Sequence, residues 1–256
     1  MDNNPLITVI IPSFNQGQFI RETIDSILNQ PFKKIEVIVI DGGSTDTTVD
    51  ILKTYGNRIY WISEKDRGQT HAINKGLHLA KGDIIAYLNS DDYYLPNTLQ
   101  QIAELFKTHP DIFWITGDYN IVDETGKGIQ SFVISYKKIA RKFLSFNLLS
   151  ILNPIAQPST FLRRKLIEDV GLFKEELRYT MDYDYWLRAI QLKKPFLLNE
   201  KLSAFRIHGS SKGGSQYHKQ FEEELKVAKN YQKNKLLILL HQLHNLLIVT
   251  VYKIIK

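Results

Sequence analysis

A regular exchange of short apolar runs with helical periodicity, sustained over the first 116 residues, leaves this chain few folds to choose from. Residues 6–11, 35–40, 59–62, 84–88 and 112–116 are strand-length runs rich in Ile and Val. Between the first two, Phe19, Ile20, Ile24, Ile27 and Leu28 recur at helical spacing and stop before Pro31. Ser44 and Thr45 introduce Val49 and Leu52 in a second helix, and further helices are predicted over 70–79 and 96–107. The run 35–40 is almost wholly apolar, as a strand covered on both faces must be. Such β-α alternation predicts an open, mainly parallel sheet with helices on both sides. Ligands of such sheets bind beyond the carboxyl ends of the strands. The residues just after each run therefore carry the functional information.

Past residue 116 the pattern becomes mixed α+β. A hairpin is predicted over 118–134 around Glu124-Thr125-Gly126-Lys127-Gly128, then helical or irregular chain over 136–152, broken by Asn153-Pro154. A strand at 159–162, a helix over 181–192, one or two strands within 196–205 and a small-residue loop at 209–215 follow. One helix is then predicted from about Tyr217 to the end. The expected organisation is three parts: 1–116, 117–215 and a tail, 216–256.

The 256 residues suffice for one large domain or two lobes. The absence of cysteine excludes disulfides and thiolate zinc sites. The polar start Met1-Asp2-Asn3-Asn4-Pro5 does not read as a signal peptide, and a cytoplasmic location is expected. The net charge of +6 belongs entirely to the chain from Arg206 onward, where nine basic residues face three acidic ones. A neutral body argues against a nucleic-acid groove. Within the tail, 236–240 and 246–249 are apolar and flank His241-Gln242-Leu243-His244-Asn245. Polar residues at the centre disfavour a transmembrane span. An amphipathic helix lying on the inner face of a membrane, docking on the protein's own core, or pairing with a second copy are the alternatives.

The run 84–88 ends in Asn89-Ser90-Asp91-Asp92. Adjacent carboxylates repel, and hard oxygen donors suit Mg²⁺ or Mn²⁺, which in turn bind phosphate oxygens. The same residues would also serve as a helix cap. Asp41, at the end of the second run, is placed to bind a ribose hydroxyl. The turn after the first run, Pro12-Ser13-Phe14-Asn15-Gln16-Gly17-Gln18, lacks the glycines of a dinucleotide fold, and no P-loop lysine motif occurs. A nucleotide diphosphate held through a metal remains, which suits a nucleotide-sugar.

The segments Val9-Ile10-Ile11-Pro12-Ser13-Phe14-Asn15, Asp41-Gly42-Gly43-Ser44-Thr45-Asp46 and Ser63-Glu64-Lys65-Asp66-Arg67-Gly68-Gln69 resemble glycosyltransferase family 2. So do Ala72-Ile73-Asn74-Lys75-Gly76, Gly82-Asp83 and Leu88-Asn89-Ser90-Asp91-Asp92, all in the family's order. Gln157-Pro158-Ser159-Thr160-Phe161, Met181-Asp182-Tyr183-Asp184-Tyr185-Trp186 and Phe205-Arg206-Ile207-His208 extend the likeness to about residue 210. The resemblance implies an α/β fold of GT-A type and inverting transfer of a sugar, most commonly from a UDP-sugar. On this likeness 1–116 is the nucleotide-sugar-binding half and 117–215 the acceptor and base half. Pro12, Ser13, Asn15, Asp41, Asp66, Arg67, Gln69, Asn74, Ser90 and Asp91 would border the nucleotide. Ser90 stands where the family's metal motif usually has its first carboxylate, which leaves Asp92 as the expected ligand of Mn²⁺ or Mg²⁺, joined by His208. An inverting displacement needs a base for the acceptor hydroxyl. Asp182 matches that position and Asp184 is the second choice; either could equally be a helix N-terminal carboxylate. Gln157 and Ser159 would border the acceptor. Without the Gln-any-any-Arg-Trp motif of the processive polymerases, addition of one sugar to a glycan or lipid-linked acceptor in surface polysaccharide synthesis is expected. A polyprenyl-phosphate sugar synthase and an inactive sugar-nucleotide-binding module are the competing readings.

Overall fold

The computed structural model describes residues 4–209 and 217–255. Four parallel strands form its first half: β1 (Ile7–Ser13), β2 (Ile35–Asp41), β3 (Tyr60–Ser63) and β4 (Ile84–Tyr87). Their registers pair Ile7 with Ile35 and Ile84, and Asp41 with both Ser13 and Ser63. All four strands therefore end on one edge. The full sheet has eight strands in the order β3-β2-β1-β4-β7-β6-β8-β5. The chain reverses its direction of growth at β1, between β2 and β4, which is where a crevice opens in such sheets.

The apolar strands are buried on both faces, as expected. On one face α1 (Ile20–Leu28) and α4 (Thr98–Thr108) pack their Ile24, Ile27, Leu99, Ile102 and Phe106 against Ile7, Val9 and Ala86. On the other, α3 (Gln69–Leu79) and α8 (Met181–Leu192) cover Ile10, Ile85, Tyr87 and Trp114, with Trp114 stacked on Trp186 at 5.5 Å. Gly76 on α3 permits this closeness, because a Cβ there would stand 2.4 Å from Ile10 Cγ2.

The run at 112–116 does form a strand, β6 (Trp114–Val122), but not as a fifth parallel neighbour. β7 (Thr160–Arg163) lies antiparallel between β4 and β6, with Phe161 and Leu162 buried on opposite faces. The predicted hairpin is also only half right. Its turn forms, with Asp123 Oδ1 accepting the Thr125 and Lys127 amides. The return strand does not, apart from one bridge between Val122 and Gly128. The free edge of β6 is already taken by β8 (Phe196–Arg206) running parallel to it, so the chain turns instead into α5 (Ser131–Lys142). β8 in turn pairs with β5 (Tyr93–Tyr94), a two-residue strand too short to see in sequence.

The predicted tail helix is two helices. The first, α9 (Tyr217–Tyr231), packs Val227 and Ala228 into the core beside α8. Gln232 then leaves the helical path, and Asn234 accepts the Leu236 amide at the start of α10 (Lys235–Ile255), a capping arrangement that restarts the helix. The loop predicted at 209–215 lies, beyond Gly209, outside the described residues.

Candidate active site

The ends of β1 and β2 build a loop frame around Asp41. Its carboxylate is fully buried and accepts the amides of Gly43 (3.1 Å) and Ser44 (2.8 Å) and the hydroxyls of Ser44 (2.5 Å) and Ser63 (2.6 Å). Asp41, the expected ribose contact, thus also holds the loop in place. Asn15, at φ +52°, pins the same loop from β1, accepting the Thr45 amide at 2.9 Å and donating its own to Ser44 Oγ at 2.7 Å. Pro12 and Ser13 are buried beside it, and Ser13 Oγ has no protein partner. A buried hydroxyl left unpaired at a strand end is a place where a ligand would complete the hydrogen bonding. Asp66 reaches over Gly42, where a Cβ would lie 2.8 Å from its Oδ2, and its Oδ1 accepts the Gly68 amide. Arg67 is exposed and paired with Glu175 at 2.7 Å. Asn74 has both ends of its amide fixed to the backbone of Phe173, at 2.8 and 3.0 Å.

Beyond β4 the two carboxylates have opposite surroundings. Asp92 is fully buried, with Oδ1 accepting the Arg206 amide (2.9 Å) and Oδ2 accepting Asn89 Nδ2 (3.0 Å). Burial, with the Asp91 charge beside it, pushes its carboxyl well above the usual aspartate range, against the pull of Arg206 and Asn89. Asp91 keeps partial exposure and meets His208 Nε2 through Oδ2 at 3.0 Å. Each Asp92 oxygen thus carries one hydrogen bond, and a carboxylate oxygen can accept a second interaction, so Asp92 and Asp91 both present oxygens to a cation. Ser90 is buried, its carbonyl fixed by Thr23 Oγ1 at 3.0 Å.

The residue that organises this corner is Arg206, which the motif hinted at but its chemistry in sequence did not single out. Its buried guanidinium donates to the carbonyls of Asp91 (2.9 Å), Asp123 (3.3 Å) and Glu124 (3.0 Å) and pairs with Glu22 (2.5 Å). It also lies over the rings of Phe19 and Tyr93, at 4.9 and 5.4 Å. His208, two residues on, packs against Phe19 at 4.7 Å. A cleft of about 720 Å³ beside this anchor is lined by Arg21, Glu22, Asp25 and Tyr93 but takes in none of Asp91, His208 or Asp182. Chemistry at the strand ends locates the site, not cavity size.

Asn89, a second residue not singled out in sequence, links the two sides. It accepts Gln69 Nε2 at 2.7 Å and donates to Asp92 and, at 3.3 Å, to Gln157 Oε1. Gln157 in turn donates to the Tyr87 carbonyl at 2.6 Å. Ser159, expected at the acceptor, is wholly buried and bonded to the Asp118 carbonyl (2.9 Å) and Ser203 Oγ (2.6 Å).

At the start of α8 the two carboxylates part as their spacing demands. Asp184, the second choice for a base, turns inward and is held by Lys174 (2.9 Å), Arg188 (2.8 Å) and the Tyr231 hydroxyl (2.7 Å). Asp182 keeps one oxygen on the Tyr183 amide at 2.8 Å. Burial raises its carboxyl above the usual range, opposed by that amide and by Lys137 of α5. Glu224 of α9 is buried in the same electrostatic neighbourhood; burial raises it to about 7, Lys137 lowers it and Asp182 raises it. Tyr87, on the floor, feels burial first and then the charges of both Asp182 and Asp92, which hold its phenol neutral. Tyr87 thus lies within reach of the charges of both Asp92, at the end of β4, and Asp182, at the start of α8.

The model of glycosyl transferase family 2 matches residues 8–171, from β1 through the helix after β7. This chain belongs to glycosyl transferase family 2. An uncharacterized glycosyltransferase of Rickettsia typhi is 33% identical over 80% of this chain, and the chain spans 65% of that protein's length, just under two thirds. An uncharacterized glycosyltransferase of Haemophilus influenzae is 28% identical over the whole chain and 83% of its own length. The fold matches S. aureus TarS 1-349 in complex with UDP-GlcNAc (TM-score 0.68, 21% identity, 87% of this chain and 65% of that one). It also matches the mannosyltransferase PcManGT of Pyrobaculum calidifontis in complex with GDP-Man and Mn²⁺ (TM-score 0.70, 18% identity, 94% and 70%). The mixed sheet with helices on both faces is accordingly a GT-A-type fold. Among the described residues no helix is long and apolar enough to cross a membrane.

Proposed function

We propose that this family 2 chain moves one sugar, with inversion, from a nucleotide-sugar, UDP-linked by preference, to a hydroxyl of a glycan or lipid-linked acceptor. The observation that carries this reading is the sorting of carboxylates at the strand ends. Asp91 lies beside His208 and Asp182 has one oxygen on the Tyr183 amide, whereas Asp41 is held by four donors and Asp184 by three. The nucleoside would lie over the β1 and β2 ends, completing the hydrogen bonding of Ser13 and meeting Asp66 above Gly42. Asp91 and His208 supply an oxygen and a nitrogen donor to Mn²⁺ or Mg²⁺. Among the described residues no three such side chains converge, which fits an ion that takes its remaining ligands from phosphate and water. When bound, that ion neutralises charge developing on the departing diphosphate. Asp182 takes the proton of the acceptor hydroxyl as its oxygen bonds to the anomeric carbon and the bond to the diphosphate breaks on the opposite face. The raised affinity of Asp182 for a proton suits it to accept one near neutral pH. Surface polysaccharide is the acceptor class proposed, with the protein working at the inner side of the cell membrane.

The test is titration of UDP with and without Mn²⁺, on the protein and on Asp91→Asn. Binding should strengthen with Mn²⁺ and lose that gain in the variant. Equal affinity in EDTA would remove the metal from the reading, and UDP binding nowhere would remove the reading itself.

A further inference from the structure

The polarity of α10 is inverted. His241, with Nδ1 on the Ser150 carbonyl at 2.9 Å, is fully buried, and His244 meets the Tyr136 hydroxyl of α5 at 2.8 Å. Both histidines thus face the body. Leu236, Leu239, Leu240, Leu243, Leu246 and Leu247 face outward, each 39–65% exposed. An ordinary surface helix does the reverse. The stripe continues on α5, where Phe132, Ile139 and Phe143 are 61–77% exposed and, with Tyr136 between them, share one helical face. The Tyr136–His244 contact sets the two stripes side by side. Nine exposed large apolar side chains on two helices in contact with each other read as a docking surface rather than scattered exposure.

Charge selects the occupant. No Asp or Glu occurs between residues 125 and 167, nor anywhere after Glu224. The same stretches carry Lys142, Lys226, Lys229, Lys233 and Lys235, with Lys253 and Lys256 following in sequence. A second copy of this chain would bring an equally basic rim against this one and be repelled. An anionic lipid surface would be attracted. We infer that the α5–α10 face inserts its leucines and phenylalanines into the headgroup boundary of an anionic bilayer, with the lysines on lipid phosphates. The inference rests on the proposed sugar transfer in one respect only: a lipid-linked acceptor would meet the protein at the same bilayer, and Lys137 of α5 is near enough for its charge to act on Asp182. The inward polar face also means that α10 is part of the fold, not a detachable anchor.

The test is sedimentation of the full chain with phosphatidylcholine vesicles with and without phosphatidylglycerol, in the absence of nucleotide. Binding should require the anionic lipid and weaken with salt. Lys142→Gln and Lys235→Gln should each weaken it by about fivefold, the worth of one lysine near an anionic surface. Leu239→Ser with Leu243→Ser should abolish it while UDP affinity stays unchanged. Because the chain lacks cysteine, a polarity-sensitive dye can be placed at Phe143→Cys, Leu243→Cys or Lys53→Cys. The first two should shift to the blue on vesicles and the third should not. No partition, partition untouched by the leucine changes, or a dimer dispersed by them in place of vesicle binding would each overturn the inference. Loss of UDP binding with vesicle binding intact would instead count against the proposed transfer alone.

Discussion

Replacing Glu224 by Gln should make the protein more stable, and increasingly so as the pH rises. Glu224 is 7% exposed, and the largest influence on its charge is burial, eased by Lys137 and opposed by Asp182. Its carboxyl is raised from 4.5 to about 7, so between those values the native state holds a proton that the unfolded chain has released. A group that binds protons more tightly when folded lowers stability as the pH climbs. The full penalty, reached above pH 7, is about 3 kcal/mol from the two values. At about pH 5.5 it is roughly 1 kcal/mol and at about pH 8.5 roughly 3 kcal/mol, so Glu224→Gln should gain about 2 kcal/mol on the parent between them. Gln keeps the shape and removes the ionisation. Urea unfolding of both proteins at the two pH values measures the difference through the midpoint at constant slope. A stability difference that does not change with pH would mean that Glu224 ionises in the native state as readily as in water, and that the buried cluster near Asp182 is not built as described.

Asp182→Asn should lower kcat by about 10²–10⁴ with UDP affinity unchanged, because it removes a proton acceptor and no nucleotide contact. In the unaltered protein, kcat should fall on acidification at a pH above that of an ordinary aspartate, because burial raises Asp182 and only its ionised form accepts a proton. Asp184→Asn should cost stability on the order of 3–5 kcal/mol in urea unfolding, since it leaves Lys174 and Arg188 beside an uncharged partner; unchanged stability would refute the ion-pair role. Asp92→Ala should shift the unfolding midpoint down through loss of the Arg206 and Asn89 bonds, while Mn²⁺ still strengthens whatever UDP binding the folded fraction shows.

The fold was legible where burial on both faces leaves a continuous apolar run. β1, β2 and β4 fall within two residues of the sequence reading, and α8 coincides with it. Failures cluster where a distant segment decides the outcome. The alternation after Val122 reads as a hairpin, yet β8 occupies the edge that the return strand would need. The insertion of β7 between β4 and β6 joins residues some 80 positions apart, and no local period reports that. The tail shows the limit most plainly. Its apolar and polar residues were readable, but which side faces the body depends on Ser150 and Tyr136, and that contact inverts the ordinary expectation.

The same limit governs the site. Sequence placed acidic residues at the strand ends and at the head of α8, because a parallel sheet presents its carboxyl edge to a ligand. Their roles depend on what already surrounds each oxygen. Asp41 is satisfied by four donors from its own loop and Ser63, Asp92 by a backbone amide 114 positions away, and Asp184 by two cations and a phenol. Asp41 and Asp184 would lose hydrogen bonds by turning to a metal, whereas in the proposed reaction Asp91 gains an interaction from the ion and Asp182 from the acceptor hydroxyl. Arg206 explains why the two adjacent carboxylates divide in this way. By drawing Asp92 onto its amide and the Asp91 carbonyl onto its guanidinium, it fixes the backbone so that one side chain turns into the core and the other meets His208.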